Sequence, residues 1–315
     1  MLFVGLAVLV KAADYLIDGA SGLARRYGVP PLVIGLSVVA LGTSMPEFFV
    51  NVISALQGST QVAMGNVVGS NIANLFLILG VAALIRPPRL AHSTVWKEIP
   101  FSLVAIIALL VLTNVALLDG TATTHLSRSG GIILLLFMAV FVYYLIGLAR
   151  DAPADQADES GVIAMKPLKL YVFIFGGIVG LYFGGKWTVD GATSIAASLG
   201  MSEYLISATI IALGTSLPEL VTSVKAALKG NSDMAVGNIV GSNIVNIFLI
   251  LGVTSVVAPV ELPNGINVDM LVLAAGTVVL FLSMFVGKVS HFGRLSGGVF
   301  VGSYFVYVGY LISRG

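Results

Sequence analysis

The feature that most limits the fold of this chain is a succession of long apolar stretches separated by short polar segments. An apolar stretch of about 20 residues is typical of a membrane-spanning helix, which satisfies its backbone hydrogen bonds internally. Only 10% of the 315 residues are charged, whereas a soluble domain carries about 25%. We therefore predict an all-α integral membrane protein, multi-pass in the cell (plasma or inner) membrane and surrounded by the lipid bilayer. Ten transmembrane helices are predicted, over residues 2–23, 30–57, 61–85, 98–118, 129–149, 168–198, 204–229, 232–257, 268–287 and 294–312.

A short acidic segment divides the predicted helices into two groups of five. Residues 150–167 contain proline and are too few to fold alone, so we interpret them as a cytoplasmic linker. The linker joins a first unit, residues 1–149, to a second, residues 168–315. With the N-terminus on the outer side of the membrane, only two of the basic residues in loops and at helix ends, Arg128 and Arg314, lie on that side. The other basic residues of this kind lie on the cytoplasmic side, as the positive-inside rule requires. Both termini are therefore predicted to face out. The twelve basic residues predicted inside are Arg25, Arg26, Arg86, Arg89, Lys97, Arg150, Lys166, Lys169, Lys225, Lys229, Lys288 and Arg294.

The two units carry the same motif. Residues 36–80 align without gaps on residues 208–252, at an offset of 172, with 25 identities in 45 positions. The segment "ALGTSMPE" matches "ALGTSLPE", and "GNVVGSNIANLFLILG" matches "GNIVGSNIVNIFLILG". Because each unit holds an odd number of predicted spans, the second enters the membrane from the opposite side. Inverted repeats are common among secondary transporters, whose binding site lies near mid-membrane between the repeats.

Each repeat places a helix-breaking proline beside a carboxylate. Pro46 and Pro218 lack an N–H group and free the carbonyl four residues earlier, and such carbonyls at membrane depth must line a cavity or find a partner. Glu47 and Glu219 follow directly. Oxygen-bearing side chains accompany them on the same and the following helices: Thr43, Ser44, Ser70, Asn74, Thr215, Ser216, Ser242 and Asn246. Hard cations such as Ca²⁺ and Na⁺ prefer ligands of this kind.

A purely structural interpretation of the polar residues is also open. A single Ser or Thr in a membrane helix often bonds back to its own helix, and "GNVVG" and "GNIVG" have the GxxxG spacing that lets helices approach closely. The two carboxylates are different, because a buried charge without a partner costs several kcal/mol. No cationic partner is evident in the sequence, so Glu47 and Glu219 require either protons or bound cations. We favour a functional role for this pair.

The paired motifs resemble the two alpha-repeats of sodium/calcium exchangers, within the cation/calcium exchanger superfamily, and the resemblance covers the whole ten-span layout. It implies a secondary antiporter that exchanges three Na⁺ for one Ca²⁺ by alternating access. It also implies that the first and sixth spans slide as a gating bundle. The short linker leaves no room for a cytosolic Ca²⁺-sensing domain, which indicates a small carrier of the prokaryotic type.

The resemblance also implies a set of ligands. The Ca²⁺ ligands would be Glu47 and Glu219 with main-chain oxygens of Thr43 and Thr215. Flanking Na⁺ sites would use one set of residues from each repeat: Ala40, Thr43, Ser44 and Ser70 from the first, and Ala212, Thr215, Ser216 and Ser242 from the second. Asn74 and Asn246 would complete the centre of the site.

One residue departs from the family pattern. Many members carry an aspartate where this chain has Asn246, so the charge expected at the site here is −2, from Glu47 and Glu219. One Ca²⁺, two Na⁺ or two protons would each neutralise it. Exchange of Ca²⁺, or of another cation, for H⁺ on the same scaffold is therefore the alternative to Na⁺/Ca²⁺ exchange.

Charged residues outside the motifs receive structural interpretations. Lys11, Asp14 and Asp18 of the first span, with Lys186 and Asp190 of the sixth, are predicted to pair or snorkel at a helix interface rather than to bind the ion. The remaining acidic residues considered, Asp119, Glu203, Glu261 and Asp269, are interpreted as solvated loop charges.

Other classes of function find little support in the sequence. The absence of cysteine excludes disulfides and Cys-ligated metals, and a net charge of +1 gives no argument for nucleic acid. No nucleophile–base constellation or nucleotide-binding loop is found, so we expect no enzyme, no cofactor beyond the transported ions, and no protein partner. A channel would require a continuous pore rather than an inverted pair of broken helices.

Overall fold

The computed structural model describes residues 1–88, 90–115, 120, 125–150, 166–198, 212–285 and 291–314, and these are almost entirely helical. Two short strands, β1 (His125–Leu126) and β2 (Val260–Glu261), pair in antiparallel fashion. The helices are α1 (Leu2–Tyr27), α2 (Pro31–Thr43), α3 (Met45–Leu56), α4 (Thr60–Ile85), α5 (Thr94–Thr113), α6 (Arg128–Arg150), α7 (Pro167–Ser198), α8 (Ala212–Thr215), α9 (Leu217–Leu228), α10 (Ser232–Val257), α11 (Ile266–Ser283) and α12 (Arg294–Arg314).

Seven helices within the described residues are long and apolar enough to cross a membrane: α4, α5, α6, α7 over Pro167–Thr188, α10, α11 and α12. Helices α2 and α3 qualify together as one broken span, which raises the number to eight. The all-helical membrane fold is thereby confirmed, and the ten-span count and the orientation stay predictions. Much of the predicted seventh span, residues 204–211, and the linker residues 151–165 lie outside the described residues.

The centre of the molecule is formed by α4 and α10. In their apolar windows 72% and 83% of the residues are buried, against 17% in α6 and α12. The outer helices therefore shield α4 and α10 from lipid, so that the polar residues of these two helices face protein. Each central helix contains a π-helical turn, at Ala73–Ile78 and at Asn246–Leu251. Such turns widen the helix locally and are frequent at functional sites.

Both motif helices break where the prolines predict. The chain leaves helical geometry at Ser44, with φ −83° and ψ 6°, and at Ser216, with φ −88° and ψ 5°. A new helix then begins, with the proline as its second residue, where its missing N–H costs nothing. The axes of α2 and α3 differ by 46°. Each glutamate thus stands in the first turn after a break.

Glycines allow two pairs of helices to approach closely. A Cβ on Gly184 of α7 would lie 2.6 Å from the backbone nitrogen of Leu9 in α1, and a Cβ on Gly35 of α2 would lie 2.6 Å from the carbonyl oxygen of Met234 in α10. No side chain fits at either distance. The first and sixth predicted spans are therefore in direct backbone contact, and the second repeat's central helix packs tightly on the first repeat's broken one.

The two aspartates of α1 form ion pairs, with partners that the sequence did not identify. Asp14 lies 3.2 Å from the amino groups of both Lys225, on α9, and Lys229, directly after it, and Asp18 lies 2.7 Å from that of Lys229. Lys186 pairs with Asp190 on its own helix at 2.8 Å. The ion pairs of Asp14 and Asp18 join α1 to the helix that carries Glu219.

The interpretation of Asp269 as a solvated loop charge is wrong. Its side chain is buried in the first turn of α11 and accepts two parallel hydrogen bonds of 3.0 Å from the guanidinium of Arg314. The carboxylate is therefore paired with a guanidinium 45 residues later in the chain and is not solvated as predicted. Glu261 is exposed as expected and accepts a hydrogen bond from Gln61, and Asp119 and Glu203 lie outside the described residues.

Candidate cation site

The two motif glutamates are fully enclosed. Glu47 is 0% exposed and Glu219 is 1% exposed, and the two carboxylates are close enough for their charges to repel each other. Within the described part of the chain, neither forms an ion pair with a Lys, Arg or His side chain.

The carboxylate oxygens are only partly satisfied. The Ser44 hydroxyl donates to Oε1 of Glu219 at 3.0 Å. Among the described residues, no hydrogen-bond partner reaches Oε2 of Glu219 or either side-chain oxygen of Glu47. Three buried carboxylate oxygens without a donor are costly unless a cation or a proton is bound. The arrangement therefore demands positive charge at this position.

The threonines of the two breaks make equivalent contacts with the opposite repeat. The hydroxyl of Thr43 donates to Asn238 Oδ1 at 3.1 Å, and that of Thr215 donates to Asn66 Oδ1 at 3.3 Å. The two bonds are equivalent under the repeat, because residues 43 and 66 of the first repeat correspond to residues 215 and 238 of the second. The asparagines are held in turn by Ser223 and Asn51, which also occupy equivalent positions. Each threonine hydroxyl thus links its break to the central helix of the opposite repeat.

The serines break this two-fold correspondence. Ser44 donates to Glu219, but its equivalent, Ser216, donates to the hydroxyl of Ser70 at 3.2 Å. The hydroxyl of Ser242 is buried and has no partner within the described residues. Glu47 is consequently the less satisfied of the two carboxylates. The two repeats therefore supply unequal halves of one site.

Asn74 and Asn246 each lie at the start of a π-helical turn, on α4 and α10. Their amide nitrogens donate across the interface, to Asn243 Oδ1 at 3.0 Å and to Asn71 Oδ1 at 2.9 Å. Their own Oδ1 atoms are buried and receive no hydrogen bond from any described residue. Two amide oxygens are therefore available in addition to the carboxylates.

The two alanines contribute only main-chain atoms. The carbonyl of Ala40 accepts hydrogen bonds from the Thr43 hydroxyl at 3.3 Å and from the Ser44 N–H at 3.0 Å. Ala212 lies in α8, four residues before the second break at Ser216. The structure thus brings the predicted residues of both repeats to the two breaks and to the adjoining central helices.

The chemistry of this donor set suits a hard cation. Across the described residues, no group of three or more His, Asp or Glu side chains could hold a metal ion. A cation here would depend on two carboxylates supplemented by hydroxyl, amide and main-chain oxygens. Ca²⁺ accepts such mixed oxygen ligands in flexible geometry.

A cavity of about 230 Å³ lies beside the two breaks, and neither glutamate lines it. It is bordered by both motif prolines, by Thr215 and by the Lys186–Asp190 pair of α7; its other lining residues are Phe49, Val50, Ile53, Tyr182, Gly185 and Gly214. The cavity therefore runs between the two broken helices and the sixth predicted span.

Several polar residues of the site were missed by the sequence analysis: Asn51, Asn66, Asn71, Thr222, Ser223, Asn238 and Asn243, all buried or partly buried. Four of them carried a signal, because the pairs 66/238 and 71/243 are identical between the repeats. The positions 51/223 carried none, since they differ in residue type. Each accepts a hydrogen bond from an asparagine of its own repeat, Asn66 or Asn238, which in turn accepts one from a threonine of the opposite repeat.

Comparison with known proteins agrees with this geometry. The family described as Sodium/calcium exchanger protein matches residues 1–147 and 169–313. The chain is 37% identical to Inner membrane protein YrbG of Escherichia coli (strain K12), over 90% of this chain and 87% of that protein. It is 30% identical to Sodium/calcium exchanger MaX1 of Methanosarcina acetivorans, over 83% of each chain.

A solved structure of the sodium-calcium exchanger NCX_Mj has the same fold. It superposes with a TM-score of 0.82 at 30% sequence identity, covering 98% of this chain and 96% of that one. The similarity thus extends over both units, and the broken helices lie within it. This multi-pass membrane protein therefore belongs to the sodium/calcium exchanger protein family.

Proposed function

We propose that the protein is a secondary antiporter that exchanges Ca²⁺ for Na⁺ across the cell membrane by alternating access. The observation that carries the proposal is the pair Glu47 and Glu219, buried between the two broken helices with three carboxylate oxygens that no described residue satisfies. Family membership supports cation exchange on this scaffold. The ions themselves would then complete the site.

We assign the ligands by the family resemblance, and the buried oxygens without a donor among the described residues support this assignment. We assign Ca²⁺ to Glu47 and Glu219, with main-chain oxygens of Thr43 and Thr215. We assign two flanking Na⁺ sites, one to Ala40, Thr43, Ser44 and Ser70 and the other to Ala212, Thr215, Ser216 and Ser242. The free amide oxygens of Asn74 and Asn246 complete the centre. The unequal serine contacts suit a state in which the two flanking sites differ.

Alternating access requires that the two repeats be equivalent in plan. The hydrogen bonds of Thr43 and Thr215, each to an asparagine of the opposite repeat, support the inverted arrangement of ten spans. The close contact of α1 with α7 supports their movement as one body, and the ion pairs of Asp14 and Asp18 link that body to α9. The cavity beside Thr215 is the proposed ion path on one side.

Coupling to protons is the second candidate, and one observation favours it. With Asn246 in place of an acidic residue, the site holds −2, and three bound Na⁺ would leave +1 in an enclosed cavity. Excess charge there is costly. Exchange of one Ca²⁺ for two Na⁺ or two protons would be electroneutral, whereas exchange for three Na⁺ would respond to membrane voltage.

Purified protein in liposomes tests the proposal. ⁴⁵Ca²⁺ uptake should follow an imposed outward Na⁺ gradient, and Glu47→Gln and Glu219→Gln should abolish it in protein that remains folded. Glu98→Gln is the matched control, because Glu98 is equally buried but bonds to Tyr144, outside the site. Near wild-type exchange by Glu47→Gln would show that the site is misplaced.

A further inference from the structure

Four asparagines form a closed set of hydrogen bonds where α4 crosses α10. The Asn71 amide donates to the main-chain carbonyl of Asn243 at 3.1 Å, and the Asn243 amide donates to the main-chain carbonyl of Asn71 at 3.4 Å. Their side-chain oxygens accept from Asn246 and Asn74, at 2.9 and 3.0 Å. All four residues are at least 97% buried. The set is symmetric under the repeat offset of 172.

The two inner members of this set, Asn71 and Asn243, are fixed at both ends. Each uses its amide nitrogen on a main-chain carbonyl and its amide oxygen on the neighbouring asparagine. Rotation of either amide by 180° would place nitrogen against nitrogen and oxygen against a carbonyl oxygen. One orientation is therefore strongly preferred, since buried amides must match donors with acceptors.

The two outer members, Asn74 and Asn246, are fixed at one end only. Their nitrogens are held by the inner pair, which leaves their Oδ1 atoms buried and without a donor among the described residues. An amide that was not held could turn its NH₂ group toward a bound cation. The cation would then face a positive dipole end instead of an oxygen lone pair.

We propose that Asn71 and Asn243 are positioning residues for the transported cation: they hold the amides of Asn246 and Asn74 so that oxygen, not nitrogen, faces the ion. The proposal rests on the proposed function in one respect, that Asn74 and Asn246 contact the cation. It explains why two neutral polar residues in each repeat are buried together where α4 crosses α10. It also separates residues that bind the ion from residues that orient the ligands.

A simpler role is to hold the two repeats together, since the same bonds join α4 to α10. The two roles predict different responses to an aspartate at position 246. A carboxylate has an oxygen at both ends, so its orientation no longer matters. The bond from the Asn71 amide to the Asn243 carbonyl is present in both backgrounds. If Asn71 only joins the helices through this bond, its loss should weaken Ca²⁺ binding in either background; if Asn71 orients Asn246, the loss of affinity should disappear in the aspartate background.

The experiment is a double-mutant cycle on Ca²⁺ binding, measured by isothermal titration calorimetry on detergent-purified protein without Na⁺. We expect Asn71→Leu to weaken Ca²⁺ binding about tenfold, the size of one hydrogen bond to a charged group. In an Asn246→Asp background the same substitution should cost less than about twofold, a non-additivity that reports direct coupling. The mirror cycle uses Asn243→Leu with Asn74→Asp.

The matched control is Asn114→Leu, which removes an asparagine pair, Asn114–Asn267, at an exposed position away from the site and should leave Ca²⁺ affinity unchanged. If the Asn71→Leu protein does not fold, Asn71→Ser is used instead, because the short side chain of serine cannot reach the Asn246 amide. Equal losses of affinity in both backgrounds would overturn the positioning role. Absence of Ca²⁺ binding by the wild type would overturn the proposed function and this inference together. If the wild type binds Ca²⁺ and Glu47→Gln abolishes that binding, the proposed site stands and the double-mutant cycle alone tests the positioning role.

Discussion

Replacing Glu47 by glutamine should stabilise the protein in the absence of cations and abolish its stabilisation by Ca²⁺. Glu47 is fully buried, its two oxygens have no donor among the described residues, and it is repelled by Glu219. Without a cation, Glu47 must either carry an unpaired buried charge or take up a proton, and glutamine relieves this cost, which is at most several kcal/mol. The amide that replaces it leaves an unsatisfied polar group worth about 1–3 kcal/mol. We expect a net gain of about 1–3 kcal/mol.

The Ca²⁺ effect has a calculable size. A ligand at 100 times its dissociation constant stabilises the folded state by about 2.7 kcal/mol, and this increment should vanish in Glu47→Gln. Glu219→Gln should gain less stability without cations, because Glu219 already accepts a hydrogen bond from Ser44. The two measurements on Glu47→Gln thus separate the free-energy cost of burying the carboxylate from its contribution to Ca²⁺ binding.

Thermal unfolding in detergent, with and without Ca²⁺, measures both quantities. Glu98→Gln is the control again, since it alters a buried carboxylate outside the site and should keep the full Ca²⁺ increment. A Glu47→Gln protein that Ca²⁺ still stabilises, or that is less stable than wild type without cations, would refute the reasoning.

Three further predictions concern the scaffold. Arg314→Met should destabilise the fold by about 3–5 kcal/mol, because it leaves the buried carboxylate of Asp269 unpaired. Asp269→Asn should destabilise it less, since the Arg314 side chain is 30% exposed. Equal losses of stability for the two variants in denaturant unfolding would contradict the pairing. Gly184→Ala should destabilise by about 1–3 kcal/mol through its clash with the Leu9 backbone, and a neutral result in the same assay would mean that α1 and α7 are less tightly packed. Cysteines at both termini should react with an impermeant reagent from outside, and cysteines in residues 150–167 from inside; a cytoplasmic C-terminus would contradict the inverted repeat.

The carboxylates and the helix breaks could be predicted because their causes are local. A proline disrupts its own helix wherever it stands, and the structure breaks both motif helices two residues before Pro46 and Pro218. A buried glutamate in an apolar span needs a cation or a proton whatever surrounds it. The repeat offset then placed the two breaks in one site.

The contacts between distant residues could not be predicted. Asp269 looked like a loop charge because its partner, Arg314, stands at the far end of another helix. The partners of Asp14 were likewise set by which face of α9 packs against α1. In both cases the sequence indicated the helix and its apolar face. It did not indicate how that face is rotated or which residues pack against it.

Identical sequence does not give identical contacts either. Ser44 and Ser216 occupy the same position of the same motif, yet one bonds to a glutamate and the other to a serine. The difference arises from the relative placement of the two broken helices. Such asymmetry is a property of one conformational state of a transporter with two equivalent halves.

Calcium flux in Na⁺-loaded proteoliposomes, clamped at two membrane potentials with no pH gradient, tests the central claim most directly. Na⁺-dependent exchange of Ca²⁺ at a site built on Glu47 and Glu219 predicts uptake that requires internal Na⁺ and is lost in Glu47→Gln. Dependence of the rate on voltage would indicate three Na⁺ per Ca²⁺, and its absence would indicate two. Asn246→Asp should change the Na⁺ dependence, because it adds a third carboxylate near the centre. Uptake that ignores Na⁺ in this assay, and that follows a pH gradient imposed on a second set of Na⁺-free proteoliposomes, would contradict the assignment of Na⁺ as the coupling ion.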